Sequence, residues 1–202
     1  MKSYKIHLIR NAACEGAGEG RYIGVTDFPL SEEGRAEAGQ MAADYGYPYA
    51  DTVFTSPLKR CTETAEILYP DKKAVAIDGL RECNFGIFEN KTADEMKDNE
   101  VFAGWIAGKN PPPDGESSPE FGKRICETFE KIAEGMMKSG VKETAIITHG
   151  GVISIILAAY GIPQAPMHEW MCPDCCGYTI LLDPAMWMRS KKVEVFEQIP
   201  NM

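Results

Sequence analysis

Residues 144–160 read TAIITHGGVISIILAAY. The opening run, Thr144 to Ile147, is apolar in the manner of a strand buried on both faces of a sheet. It ends at His149-Gly150-Gly151 and leads into a helix from Val152 to Tyr160. A buried strand followed by a glycine turn and an apolar helix belongs to an α/β fold. It also leaves a histidine at the carboxyl end of a strand, where ligands gather in such folds.

The same alternation extends outward. Lys5 to Ile9 reads as a strand ending at Arg10, followed by a loop from Asn11 to Tyr22 with little that could pack a core. Ser31 caps a helix running to Ala43, with Glu32 and Glu33 in its first turn. Thr52 to Thr55 is a short strand, and Pro57 starts a helix with Leu58, Cys61, Ala65 and Leu68 on one face. Ala74 to Ile77 is another strand, with an irregular stretch from Leu80 to Phe88. Thr92 to Ala107 is expected to be helical, and Pro111-Pro112-Pro113-Asp114-Gly115 is not. Ser118 should cap a long helix with Pro119 at its first position. Its stripe of Phe121, Ile125, Phe129, Ile132 and Met136 keeps three-four spacing. Tyr178 to Leu182 and Val193 to Phe196 are the closing strands. The expectation is an α/β three-layer sandwich, with a mostly parallel central sheet and helices on both faces. One domain, residues 1–202, would carry a small helical insertion at about 90–115.

The chain has 202 residues, 44% of them hydrophobic and 25% charged, which suits a soluble globular protein with an ordinary core. Its net charge of −9 offers no basic face for nucleic acid or an anionic membrane. No apolar run approaches the roughly 20 residues of a membrane span. The N-terminus shows no signal-peptide pattern, and seven irregularly spaced cysteines suit a reducing cytoplasm. Cys172, Cys175 and Cys176 with His168 could ligate zinc in principle, but their spacing matches no common structural site. We read them as buried free thiols and expect neither a metal nor a cofactor.

Three strand ends are polar and reactive: Arg10, Ser56 to Arg60, and His149. With Glu82 nearby in the irregular stretch, they suggest a pocket for an anion with a proton donor beside it. Arginine supplies a planar fork suited to phosphate oxygens. His7 alternates within the first strand and is expected to be packed rather than catalytic.

Five ordered stretches then carry a resemblance to the histidine phosphatase superfamily, which includes the phosphoglycerate mutases. They are Leu8-Ile9-Arg10 with Arg21 to Gly24 and Pro29 to Gly34; Ser56 to Arg60 with Thr64-Ala65; Leu80-Arg81-Glu82 with Phe85-Gly86; Pro113 to Ser117; and Thr148 to Gly151. The resemblance implies a phosphoglycerate mutase-like fold. It also implies that Arg10, Arg60 and His149 bind a phosphoryl group and that Glu82 donates a proton to the leaving oxygen. Arg21 matches a motif and could simply hold its loop.

One loop departs from that pattern. The family has Arg-His-Gly, then Thr or Ser two positions on and usually Asn three beyond. This chain reads Arg10-Asn11-Ala12-Ala13-Cys14, then Ala17. An amide nitrogen, delocalised into its carbonyl, cannot take up phosphorus as an imidazole does. Losing a covalent nucleophile costs roughly 10⁴ to 10⁶ in turnover, so phosphatase activity is expected to be lost. Because the departures cluster in one loop and leave a thiol, we read the loop as re-engineered. Cys14 would then be a nucleophile with His149 as its base, hydrolysing an activated ester through a thioester. Gly150 and the loop N–H groups would serve as the oxyanion hole. The alternative is a small-molecule phosphate binder without turnover, with Asn11 preserving a hydrogen bond beside the anion.

Overall fold

Seven strands form one mixed sheet in the computed structural model, which describes residues 3–200. Their sequence order is β1 (Tyr4–Arg10), β2 (Thr52–Thr55), β3 (Val75–Ala76), β4 (Glu143–Thr148), β5 (Gly161–Ile162), β6 (Gly177–Leu182) and β7 (Val193–Ile199). Across the sheet the order is β3-β2-β4-β1-β6-β7-β5. β3, β2, β4 and β1 run parallel, and β6 is antiparallel to both its neighbours. Helices α1 (Glu32–Tyr45) and α2 (Lys59–Leu68) follow the first two strands. Next come the short α3 (Glu100–Ile106), the long α4 (Ser118–Ser139), α5 (Gly150–Tyr160) and α6 (Pro184–Ser190).

The periodicity explains the layers. The stripe Phe121, Ile125, Phe129, Ile132 and Met136 is buried with Ile6, Leu8, Ile146 and the α5 side chains on one face of the sheet. Ile9, Val53, Ala145 and Ile147 point to the other face, where Cys61, Ala65 and Leu68 of α2 cover them. Alternate residues of β4 thus enter two cores, as a doubly buried strand requires. Among the described residues, no helix is long and apolar enough to cross a membrane.

Three local expectations are corrected. The cap of α4 is Ser117 rather than Ser118, because Glu120 reaches back to the Ser117 N–H and completes a capping box. The helix after β2 starts at Lys59, two residues past Pro57. Thr92 to Ala107 is not one helix: a 3-10 turn at Asp94–Met96 is followed by α3. Asn99 breaks the run by accepting from the Val101 and Phe102 N–H groups, which makes it a new N-cap. Phe102 and Trp105 of α3 pack with Tyr22, Phe85 and Phe88.

Candidate active site

β2, β4 and β1 are adjacent and parallel, so their carboxyl ends bring Ser56, His149 and Arg10 to one edge of the sheet. The backbone continues the ladder past the strands: Asn11 N–H donates to the Thr148 carbonyl at 2.8 Å, and Ser56 N–H to the Ile147 carbonyl at 2.9 Å. The first turn of α2 adds Arg60. Glu82 enters from the segment after β3, which is tied down by a bond from the Thr148 hydroxyl to the Leu80 carbonyl. The resulting pocket of about 250 Å³ is lined by Arg10, Asn11, Cys14, Arg60, Glu82 and His149, with Gly150 and Arg21 completing its wall.

His149 is 2% exposed. Its Nε2 lies 2.8 Å from the Ser56 hydroxyl, and its Nδ1 lies 3.1 Å from Asn11 Oδ1 and 3.3 Å from Arg60 Nε. The Asn11 amide nitrogen already donates to the Ala12 carbonyl at 2.8 Å, so its oxygen faces the ring. We therefore assign the ring proton to Nδ1, donated to Asn11, with Nε2 accepting from Ser56. The opposite tautomer would aim the lone pair at Arg60. In neither is a lone pair directed at Cys14. Burial, then the charges of Arg60 and Arg10, hold the imidazole well below its ordinary pKa, so it is neutral.

Ser56, His149 and Asn11 thus form the hydrogen-bonded series of a nucleophile, base and orienter. Ser56 is fully buried and does not line the pocket, so its hydroxyl holds the ring in place.

The other predicted residues fall as follows. Glu82 accepts from the Cys83 N–H at 3.0 Å and the Gly151 N–H at 3.1 Å. Burial outweighs these bonds and the neighbouring arginines and raises its carboxyl, which suits a proton donor. A Cβ on Gly151 would lie 2.5 Å from the Glu82 carboxylate, so only glycine admits this contact. Cys14 reaches the pocket wall but is 6% exposed, and burial raises its thiol. No hydrogen bond joins it to His149. The sulfur against that ring belongs to Cys61, at 3.5 and 3.7 Å. Arg21 gives its donors to Glu19 and to the Asn90 carbonyl, fastening the loop to the residues before α3. Ala12 stands where the family uses glycine; its φ is not positive, so the position admits a side chain, and its N–H is held by the Thr64 hydroxyl at 3.0 Å.

Each guanidinium carries five N–H donors. Arg10 spends one, on the Cys172 carbonyl at 2.7 Å; its Nε lies 2.8 Å from Asp174 Oδ1 as an ion pair without hydrogen-bond geometry. Arg60 spends two, on Gly24 O and Thr26 O; its Nε lies 3.3 Å from the His149 Nδ1, which in the assigned tautomer carries the proton and cannot accept. The remaining N–H groups are available to an anion. Among the described residues, no three His, Cys, Asp or Glu side chains converge as metal ligands would.

The pattern of the histidine phosphatase superfamily, branch 1, matches residues 6–191. The chain belongs to that superfamily. A 2,3-bisphosphoglycerate-dependent phosphoglycerate mutase of Rhizobium etli is 27% identical over 164 residues, covering 72% of this chain and 75% of its own. The solved phosphoglycerate mutase of Thermus thermophilus is 27% identical, with a TM-score of 0.66 over 96% of this chain and 97% of its own. The alpha-ribazole phosphatase of Shigella flexneri, 21% identical, shares the fold with a TM-score of 0.78 over 95% and 94% of the two chains. The roles of three residues around this site escape a reading of the sequence. Ser56 lies in a shared motif without an evident role, Cys61 looks like core, and Asp174 belongs to a cysteine-rich turn with no motif of its own.

The two buried histidines set a pH dependence. His7 is 1% exposed, its Nδ1 lies 3.0 Å from the Thr179 hydroxyl, and burial with the nearby Lys5 charge pushes its pKa down to about 4. Between that value and about 6.5 the unfolded chain binds protons that the native state refuses. Stability is therefore present above about pH 6.5 and is lost as pH falls through that window. For His7 alone this is a loss of about 2 kcal/mol between about pH 7.5 and pH 5, and His149, also held below its ordinary pKa, adds to it in the same direction. Urea midpoints across this range measure it; a flat or rising midpoint would show that the imidazoles are not buried neutral.

Proposed function

We propose that this chain binds a small phosphate monoester without turning it over by the phosphohistidine route. The observation that carries the reading is Asn11: it stands at the nucleophile's position with its oxygen on His149, while Arg10, Arg60 and Glu82 still surround the pocket. The free guanidinium N–H groups and the Gly150 N–H at the start of α5 suit phosphate oxygens. Titration of p-nitrophenyl phosphate by calorimetry should show one site, with no nitrophenol released at high protein concentration. Steady turnover would reject it. Seven unpaired cysteines favour a cytoplasmic setting.

Asp174 tunes that binding. Its carboxylate holds Arg10 and would repel an arriving phosphate. Partly exposed ion pairs are worth up to about 1 kcal/mol, so Asp174→Asn should tighten phosphate binding about fivefold. Unchanged or weaker binding in that variant would show that the carboxylate does not compete.

A second reading is the thioester route in a re-engineered loop. In its favour, Cys14 lines the same pocket as His149. Against it, burial disfavours the thiolate, and the ring's lone pair is spent elsewhere. Equal p-nitrophenyl acetate turnover in the parent chain and in Cys14→Ala would end it.

A further inference from the structure

The sheet face under α4 is only partly filled. Parallel register sets Thr52 of β2 beside Thr144 of β4, and Phe54 beside Ile146, on that face. Above them α4 presents the small residues Gly135 and Ser139. They leave a groove of about 660 Å³ between helix and sheet, which shares no lining residue with the pocket around Asn11. Its volume lies in the range of organic-ligand sites, and Phe54, Ile77 and Met136 give it apolar walls. Thr144 is fully buried, and its hydroxyl has no hydrogen-bond partner. A desolvated hydroxyl left unpaired beside a groove calls for a polar atom to complete it.

The rim supplies a charge. Arg124 is committed to Glu116 and to the backbone carbonyls of Gly79, Arg81 and Glu82. The Glu127 carboxylate, also on the rim, lies 3.9 Å from Lys123. Among the described residues, Lys131 has no ion-pair partner, which leaves it as the uncommitted cation of the groove.

We propose that this groove binds an amphipathic organic carboxylate. Its apolar body lies against Phe54 and Met136, its carboxylate meets Lys131, and a hydroxyl or carbonyl on the body pairs with Thr144. The site does not rest on any reading of the phosphate pocket.

The probes are decanoate and ω-hydroxydecanoate, titrated calorimetrically against the intact chain. The hydroxylated probe should bind at one per chain and about tenfold more tightly than decanoate, a preference that Thr144→Val abolishes. Lys131→Glu should weaken both probes about tenfold. Gly135→Phe should abolish binding; a Cβ at Gly135 meets nothing within 4 Å, so the ring enters open space. Circular-dichroism melting of each variant separates loss of the site from loss of the fold, and if Gly135→Phe fails to fold, Gly135→Leu replaces it. Absence of binding by the parent chain, or equal affinity in the parent and the folded Gly135 variant, overturns the proposal. So does light scattering that shows a second copy of the chain closing the groove.

Discussion

Asn11→His should turn this chain into a phosphatase that forms a phosphoenzyme. The substituted ring would stand where Asn11 does, fixed by the backbone bond to the Thr148 carbonyl at 2.8 Å and beside His149. Its nitrogen lone pair attacks phosphorus, the bond to the leaving oxygen breaks, and Glu82, whose carboxyl pKa burial raises, gives that oxygen its proton. Arg10 and Arg60 stay in place to carry the charge. Restoring a nucleophile could return up to the roughly 10⁴ to 10⁶ that its loss removes. Ala12, Cys14 and Ala17 still differ from the family pattern, and Asp174 still opposes the anion, so we expect a gain of about 10² in p-nitrophenyl phosphate turnover. Rapid quench with p-nitrophenyl phosphate labelled in its phosphoryl group should trap the label on residue 11 in the variant and none in the parent chain. If the parent chain already traps it, the amide is not what blocks the reaction. If the folded variant binds phosphate yet gains nothing, the remaining loop changes are themselves disabling.

The architecture could be read from sequence because it depends on burial patterns that repeat. The stripe on α4 and the apolar run of β4 each declare their buried faces by pattern alone, and a strand–turn–helix succession leaves few topologies. The pocket was readable for a related reason: parallel neighbours deliver their carboxyl ends to one edge, so Arg10, Ser56 and His149 had to meet there. What could not be read is how side chains spend their hydrogen bonds. Cys14 and His149 line one pocket, yet the ring's partners are Ser56 and Asn11, chosen by angles and distances that no spacing encodes. Asp174 comes from a turn 164 residues away from Arg10 and carries no periodic signal. The break between Asp94–Met96 and α3 turned on one side chain, Asn99, competing with a helix that composition otherwise favoured.

Arg60→Ala should cost both stability and phosphate binding, because this guanidinium is the strut of the pocket as well as its ligand. Arg60 is 3% exposed, and it donates to the Gly24 carbonyl at 2.6 Å and the Thr26 carbonyl at 2.8 Å. Truncation strands both carbonyls, at about 1–3 kcal/mol for each buried acceptor left unpaired. Water entering the vacated space recovers part of that, so we expect a net loss of about 3 kcal/mol. For a chain of this size the melting temperature should fall by about 6–12 °C. Two effects act on His149 together: its imidazole is relieved of the largest positive charge beside it, and the opened site admits water. Both shift the imidazole pKa upward toward its ordinary range, so the loss of stability on acidification should become shallower. Phosphate affinity should fall at least about tenfold even in the folded fraction, since a charge-assisted hydrogen bond contributes about 1.5–3 kcal/mol. Arg60→Lys separates the two roles: it keeps the charge but, with a single ammonium, cannot span Gly24 O, Thr26 O and the phosphate together. It should therefore recover more of the phosphate binding than of the melting temperature. Recovery in the reverse order would show that Arg60 only braces the loop and that the anion is held by Arg10 and the α5 N-terminus alone.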